Sequence, residues 1–491
     1  MSWQRDYHLG DEAMTEVAIT QLQRRGAEVT LIAGDPALSR DFYHVDTVPQ
    51  FGFRTLPNRK KMEARFAEIV AALNDDTAIP DYAVETLRSV ETADAVLIAG
   101  GGNLNSSWAH HIFERLTLKR IAEARGIPLY ITSQTVGPEL NDLDRKLMRE
   151  MAGYARVFGA REATTTALMR EVAGSEASVV HTLDDAVLLE PSALSPETLA
   201  DLALPERYLV ASFTFHSWST ALSQQDYYRR IAAILDDIVA QGDVNVLLLP
   251  HMGSLDPNTP RTPKNDVTGH EHIERYSQSG RVRSVPMMSA RDLLAVTQGA
   301  QFTVSTRYHP VVFGAAVGVP AVGIVTSYYS AIRMRGALSN VGMEQFAIPF
   351  EAWQPLFGSR LMEAIGARLD TFRAHSVAAG AQMREYQARW WDGIVSDIAG
   401  SGAPLLEDHP PAEILTWADE RTTELLALAR VAQEGTNLQR LEARADKAAR
   451  EEQLQQLRGE FRAELAEIRH RLRPPGAALR DRIRTKLQRR R

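Results

Sequence analysis

Residues 302–325 read FTVSTRYHPVVFGAAVGVPAVGIV, an almost wholly apolar stretch that holds Arg307 and His309 in its middle. FTVS has the composition of a buried strand, Pro310 suits the first turn of a helix over PVVFGAAVG, and PAVGIV reads as the next strand. Arg307 and His309 therefore fall at the carboxyl end of a parallel strand, beside a helix N-terminus. Open α/β sheets bind ligands there, and a helix N-terminus favours an anion by roughly 0.3–1 kcal/mol. If the turn is extended, residues two apart face one side. Arg307 can then clamp a phosphate or carboxylate while His309 moves a proton. Capping of local carbonyls explains the same pair, and spacing alone does not separate the two.

Working outward, the strand–loop–helix alternation recurs. AEVTLIAG (27–34), DAVLIAGGG (94–102), IPLYITSQ (127–134), ARVFGAR (155–161) and ASVVHTLDD (177–185) read as buried strands that end in polar or glycine-rich turns. Amphipathic helices such as 11–26 and 141–154 lie between them. A second series begins after LALPERY, with strands 208–215 and 244–251, the helix 225–242 and a Ser289-capped helix closing near Gly299. Such alternation predicts parallel sheets covered on both faces. The fold class is α/β, with two Rossmann-like domains over residues 1–200 and 201–350 facing a cleft. Helices over 351–410, Trp-rich in REYQARWWDGIV, are expected to cross back over the first domain. The segment 411–473 reads as a coiled-coil-like helix with Leu454, Leu457, Phe461, Leu465, Ile468 and Leu472 at spacings of three and four. A basic tail, 474–491, follows Pro474 and Pro475; residues 461–491 together carry eleven Lys/Arg against three Asp/Glu.

The 491 residues exceed what one core holds, and 44% hydrophobic with 24% charged residues is ordinary for a globular protein. A net charge of -7 gives no case for nucleic acid. The absence of cysteine excludes disulfides, thiolate catalysis and Cys-ligated zinc. The N-terminus has no apolar core of signal-peptide length, and the longest apolar run, Val311 to Val325, falls short of a membrane span, so the reading is cytoplasmic. His270 and His272 are two apart and His110 and His111 adjacent, neither of which is a helical zinc pair, so no metal is expected. No Gly-x-Ser-x-Gly elbow is present.

Other candidates are weaker by themselves. Gly101, Gly102 and Asn103 follow a strand in AVLIAGGGNLN, which suits either a phosphate loop or a tight turn. Asp11 and Glu12 stand at a helix start, where capping accounts for them. Arg161 ends a strand, as does the Asp184–Asp185 pair.

In order, LGDEAM, DAVLIAGGGNL, TSQTVGPE, GARE, LDDAVLLEP and STRYHPVVFGAAVGVPAVGI resemble the polysaccharide pyruvyl transferase family over roughly residues 8–345. The resemblance implies two Rossmann-type domains in a GT-B-like arrangement. It also implies transfer of pyruvate from phosphoenolpyruvate to two hydroxyls of one sugar, in a cell-envelope polysaccharide or its precursor, with release of phosphate and no cofactor. Arg161, Arg307 and His309 then bind phosphoenolpyruvate, with His309 as acid or phosphate ligand; Asp11, Glu12, Gly101, Gly102, Asn103 and Asp184 or Asp185 line the cleft or face the acceptor. Three departures qualify this. Only seven residues precede HLGDEAM, which leads us to expect a missing first strand or a shortened start. Where many members carry a lysine, AIRMRGAL offers Arg333 or Arg335. The C-terminal helix and tail lie outside the family region; the helix suggests self-association and the tail weak attachment to an anionic membrane surface. A nucleotide-sugar glycosyltransferase or a non-catalytic scaffold of the same fold are the competing readings.

Overall fold

The computed structural model describes residues 7–73, 79–175, 177–256, 258–262, 265–353, 356–401 and 407–471. The basic tail and Leu472 lie outside them. Residues up to Gln433 form one compact unit, and the segment from Glu434 a second.

Strand β1 (Tyr7–His8) precedes the helix Leu9–Arg24, and β2 (Thr30–Ala33) and β3 (Asp46–Pro49) form a small parallel pair. The first main sheet comprises β4 (Val96–Ile98), β5 (Gly101–Leu104), β6 (Leu129–Val136), β7 (Val157–Ala160) and β8 (Val179–His181), all parallel. Every residue of β6 and β7 is buried, as expected of strands covered on both faces. The register of β6 against β7 shifts between Ile131 and Gln134, where Ser133 takes a left-handed φ of 53°. Such a bulge re-aims the residues beyond it, here toward the cleft.

The second sheet uses β9 (Tyr208–Ser212), β10 (Asn245–Leu248), β12 (Val282–Ser284), β13 (Thr303–Ser305), β14 (Ala321–Val325) and β15 (Ala347–Pro349), while β11 (Met252–Gly253) stands apart. Its order, β12-β10-β9-β13-β14-β15, is the doubly wound 3-2-1-4-5-6 pattern. Chain order reverses between β9 and β13, and the quoted STRYHP loop follows β13 at that switch point.

Two devices join the domains. At the start, β1 pairs antiparallel with β11, and Leu9 N donates to His251 O. At the far end, the helix Gly358–Ile398, kinked at Arg368, crosses back to the first sheet. There Trp390, Trp391 and Ile394 pack with Ala18, Tyr130, Val157 and Val180. The two indoles donate to Thr132 Oγ1 and Asp185 Oδ1.

One helix runs from Glu420 to Arg471. Its first turns dock on the second domain: Leu426 is buried and Gln433 Nε2 donates to Val325 O. In the second unit, Leu454, Leu457, Phe461 and Leu465 are all exposed. The side chain of Ile468 lies outside the described residues. Among the described residues no helix is long and apolar enough to cross a membrane.

Candidate active site

The carboxyl edges of both sheets meet at one buried polar group. Arg161, directly after β7, has no exposed side-chain surface. Its Nη1 donates to Asp184 Oδ2 at 2.6 Å, and its Nε to Thr135 Oγ1 and Glu162 Oε1 at 2.8 and 3.1 Å. Glu162 is fixed in turn by Thr135 and Thr165, and Asp184 spends its other oxygen capping Ala186 N. Burial pushes both carboxyls upward and Arg161 pulls them back down. One hydrogen-bonding atom of this fully buried cation, Nη2, has no partner among the described residues.

That atom points at Gly102. A Cβ there would lie 2.8 Å from Arg161 Nη2 and 3.1 Å from Arg333 Nη2, so a side chain would fill the space between two guanidinium groups. Arg333 reaches over from the helix Tyr328–Asn340 of the second domain. Both cations stack on Tyr308, at 4.3 and 4.7 Å from the ring centroid, and Arg333 also on Tyr329 at 4.8 Å. Arg333 Nε is likewise buried without a partner among the described residues. Like charges this close repel, and an anion between them removes that cost.

His309 lies beside this pair. Its ring packs closely on Gly10, where a Cβ would fall 1.8 Å from Nδ1, and its Nε2 is 3.7 Å from Asp184 Oδ2. Burial, reinforced by Arg161, holds the imidazole well below its usual pKa, so it is neutral at pH 7. Asp11, whose side chain is 46% exposed, is 3.1 Å from His8. Its surroundings would raise its carboxyl, but His8, His309 and Arg161 hold it far below the usual range.

The sequence model of polysaccharide pyruvyl transferases matches residues 8–328. The chain belongs to that family. No curated protein matches the sequence. Among solved structures it is similar to a Listeria monocytogenes protein described as a UDP-N-acetylglucosamine 2-epimerase, with a TM-score of 0.53 and 10% identity over 83% of this chain and 97% of that one. S. aureus MnaA in its UDP co-structure gives 0.52 and 10% identity, covering 82% and 97% of the two chains. A further UDP-N-acetylglucosamine 2-epimerase gives 0.51 and 13%, covering 80% and 95%. At these identities the likeness shows the fold, a GT-B-like pair of α/β domains.

Within this family member the site differs from the sequence expectation in three places. The STRYHP turn is not extended: Tyr308 has φ -69° and ψ -49°, and the helix begins at His309. With the backbone at Tyr308 helical rather than extended, Arg307 and His309 are not held on one side of an extended turn. Arg307 Nη2 bonds Asp266 Oδ1 at 2.6 Å, and the second guanidinium at Gly102 is Arg333. Of the LDD pair, Asp184 meets Arg161. Asp185 turns away, accepting from Thr132, Gln387 and Trp391 to anchor the crossing helix. Glu12, although next to Asp11, is buried and accepts from Tyr43.

Gly101 and Asn103 do lie at the site. A Cβ on Gly101 would stand 3.2 Å from Arg115 Nη2, 3.3 Å from Asn103 Oδ1 and 3.5 Å from Gln134 Oε1. The two amide oxygens are buried and unpartnered among the described residues; Gln134 is oriented by donating to Ala99 O and Thr132 O. Gln134, Arg115, Tyr308 and Tyr329 were not singled out from sequence. Tyr308 had the best signal, lying between Arg307 and His309 in the quoted loop. A surface hollow of about 480 Å³ beside Arg24, Glu190 and Arg384 shares no residue with this group.

Beneath the site, fully buried His270 accepts from Phe213 N at 3.1 Å and so must be neutral; burial lowers it to about 4. With the folded pKa depressed, the unfolded chain takes up the proton first as pH falls. The contribution is whole above the ordinary histidine value and is lost below it, by about 2 kcal/mol at pH 5. Melting temperature is expected to drop between pH 7 and 5, and His270→Gln to flatten that slope.

Proposed function

We propose that the protein transfers the pyruvyl group of phosphoenolpyruvate to two hydroxyls of one sugar, forming a cyclic ketal and releasing phosphate. The observation that carries this reading is the convergence of Arg161 and Arg333 on Gly102, with unpartnered guanidinium N–H groups, beside neutral His309. A donor with a phosphate and a carboxylate suits two planar cations that bind oxyanions bidentately.

In this mechanism Arg161 and Arg333 hold the donor anion against the glycine backbone, where the missing Cβ lets it approach. The incoming phosphate raises the pKa of His309, whose free Nε2 then carries a proton beside the substrate. The methylene carbon gains a proton, the central carbon becomes cationic, and one sugar hydroxyl oxygen bonds to it while losing its own proton. The C–O bond to phosphate then breaks, the second hydroxyl oxygen closes the ring, and its proton leaves with the phosphate. His309 serves as the proton carrier, an effect that typically contributes 10²–10⁴-fold. The donor is a cytoplasmic metabolite, which is where we place the reaction.

Phosphate release from phosphoenolpyruvate with candidate saccharides, coupled to mass spectrometry of the glycan, tests the reading. Binding of a nucleotide sugar without binding of phosphoenolpyruvate would overturn it. Arg333→Gln provides a sharper check. Its partly desolvated cation–π contacts contribute about 2 kcal/mol, and relief of its repulsion with Arg161 offsets part of that, so the melting temperature should fall by a few degrees at most. The Kd for phosphoenolpyruvate should rise at least tenfold. Unchanged affinity in the folded variant would remove Arg333 from the donor site.

A further inference from the structure

A file of alternating cations and aromatic rings leads out of the buried site. Arg161 and Arg333 stack on Tyr308, Arg333 stacks on Tyr329, and Tyr329 meets two indoles at the cleft mouth. Its ring centroid lies 5.7 Å from that of Trp108 and 6.4 Å from that of Trp218. Exposed His216 stacks on Trp218 at 5.3 Å and 17°. Tyr329 O–H donates to Gly102 O, which ties this ring to the backbone of the anion pocket.

These rings come from different parts of the fold. Trp108 ends the turn Ser106–Trp108 after β5, Trp218 lies in the loop after β9, and Tyr329 opens the helix after β14. All three follow carboxyl ends of parallel strands, the edge where such sheets bind ligands. All three are half-buried, whereas Trp353, Trp390, Trp391 and Trp417 are buried. Three partly exposed aromatic rings gathered from loops at the carboxyl edges of the sheets make a surface that a flat, partly apolar molecule can cover.

We propose that Trp108, Trp218 and Tyr329 form the platform for the acceptor saccharide. The C–H face of a pyranose ring matches an indole face, and its hydroxyl edge is left free to reach the donor carbon held at Gly102. Resting on the pyruvyl-transfer reading, this assigns the acceptor to the mouth of the cleft and the donor to its floor. Tyr329 is the divide between them, bonded to the donor-site glycine and touching both indoles. His216 extends the surface toward solvent, which suits a chain longer than one sugar.

The test is a titration with the methyl β-pyranosides of galactose, mannose and glucose, with and without phosphoenolpyruvate, followed by tryptophan fluorescence. We expect a saturable change for at least one pyranoside. Trp108→Ala and Trp218→Ala should each weaken it at least tenfold, while the calorimetric Kd for phosphoenolpyruvate stays within twofold. The platform is overturned if no pyranoside gives a saturable response, if the response survives both substitutions, or if UDP alone produces it. Failure of the donor reading shows separately, as absent phosphoenolpyruvate binding in the wild type, and the pyranoside arm without donor still decides the platform.

Discussion

Arg161→Ala is expected to abolish phosphoenolpyruvate binding and to destabilise the fold by about 3–5 kcal/mol, the usual cost of removing one partner from a buried ion pair. Asp184 and Glu162, both in contact with the guanidinium, stay behind without their cation. Burial already pushes these carboxyls upward, and Arg161 is the principal force opposing it. Both carboxyls already sit above their ordinary values in the wild type, and in the variant their folded pKa values rise further. A group shifted that way stabilises at low pH and loses its contribution as pH rises through the folded value. Relative to wild type, the variant should thus lose melting temperature as pH rises from 6 to 8, a contribution opposite in sign to that of the buried histidines. Denaturation at the two pH values, with calorimetric titration of phosphoenolpyruvate, checks both halves. Wild-type stability and intact binding would exclude Arg161 from the donor site and from the support of the fold.

His309→Gln should lower kcat by 10²–10⁴-fold, with only a few-fold change in the Kd for phosphoenolpyruvate. The imidazole is neutral in the free protein, so it adds little to ground-state attraction. It gains its proton as the phosphate arrives. Binding then takes up a proton, and wild-type affinity should strengthen as pH falls from 8 to 6 beyond what the titration of phosphate itself produces. The variant should show the phosphate contribution alone. Gly10→Ala offers a second route to the same effect: its new Cβ would overlap the ring at 1.8 Å and must displace it, although residue 10 has no chemistry of its own. If His309→Gln keeps its kcat, the proton-carrying role is wrong, whatever happens to binding.

The lesson of the sequence is uneven across the site. The strands and helices were legible because buried parallel strands are continuous β-branched runs and the helices between them carry amphipathic patterns and caps. Ser289 accepting from Asp292 N, and Pro310 in the first turn of its helix, are found where their residue types suggested. Arg161, His309, Gly101 and Gly102 were visible as chemistry-bearing residues at strand ends, and their ordered motifs pointed to the family that the whole match supports.

Partnership was not legible in this way. Whether Asp184 or Asp185 meets Arg161 depends on where the helix Gly358–Ile398 returns, some two hundred residues later, since Trp391 and Gln387 claim Asp185. Whether Arg307 or Arg333 stands opposite Arg161 depends on the backbone at Tyr308 turning helical and on Asp266 engaging Arg307. The sequence by itself determined the two parallel sheets, the family and the chemical types gathered at their carboxyl edges, because periodicity and motif order are local along the chain. Only the tertiary structure decided which guanidinium faces Gly102, which aspartate holds it and which aromatic rings guard the mouth. Those choices are set by short-range contacts between residues far apart in the chain, some from opposite domains, whose separation in sequence carries no information about their distance in space.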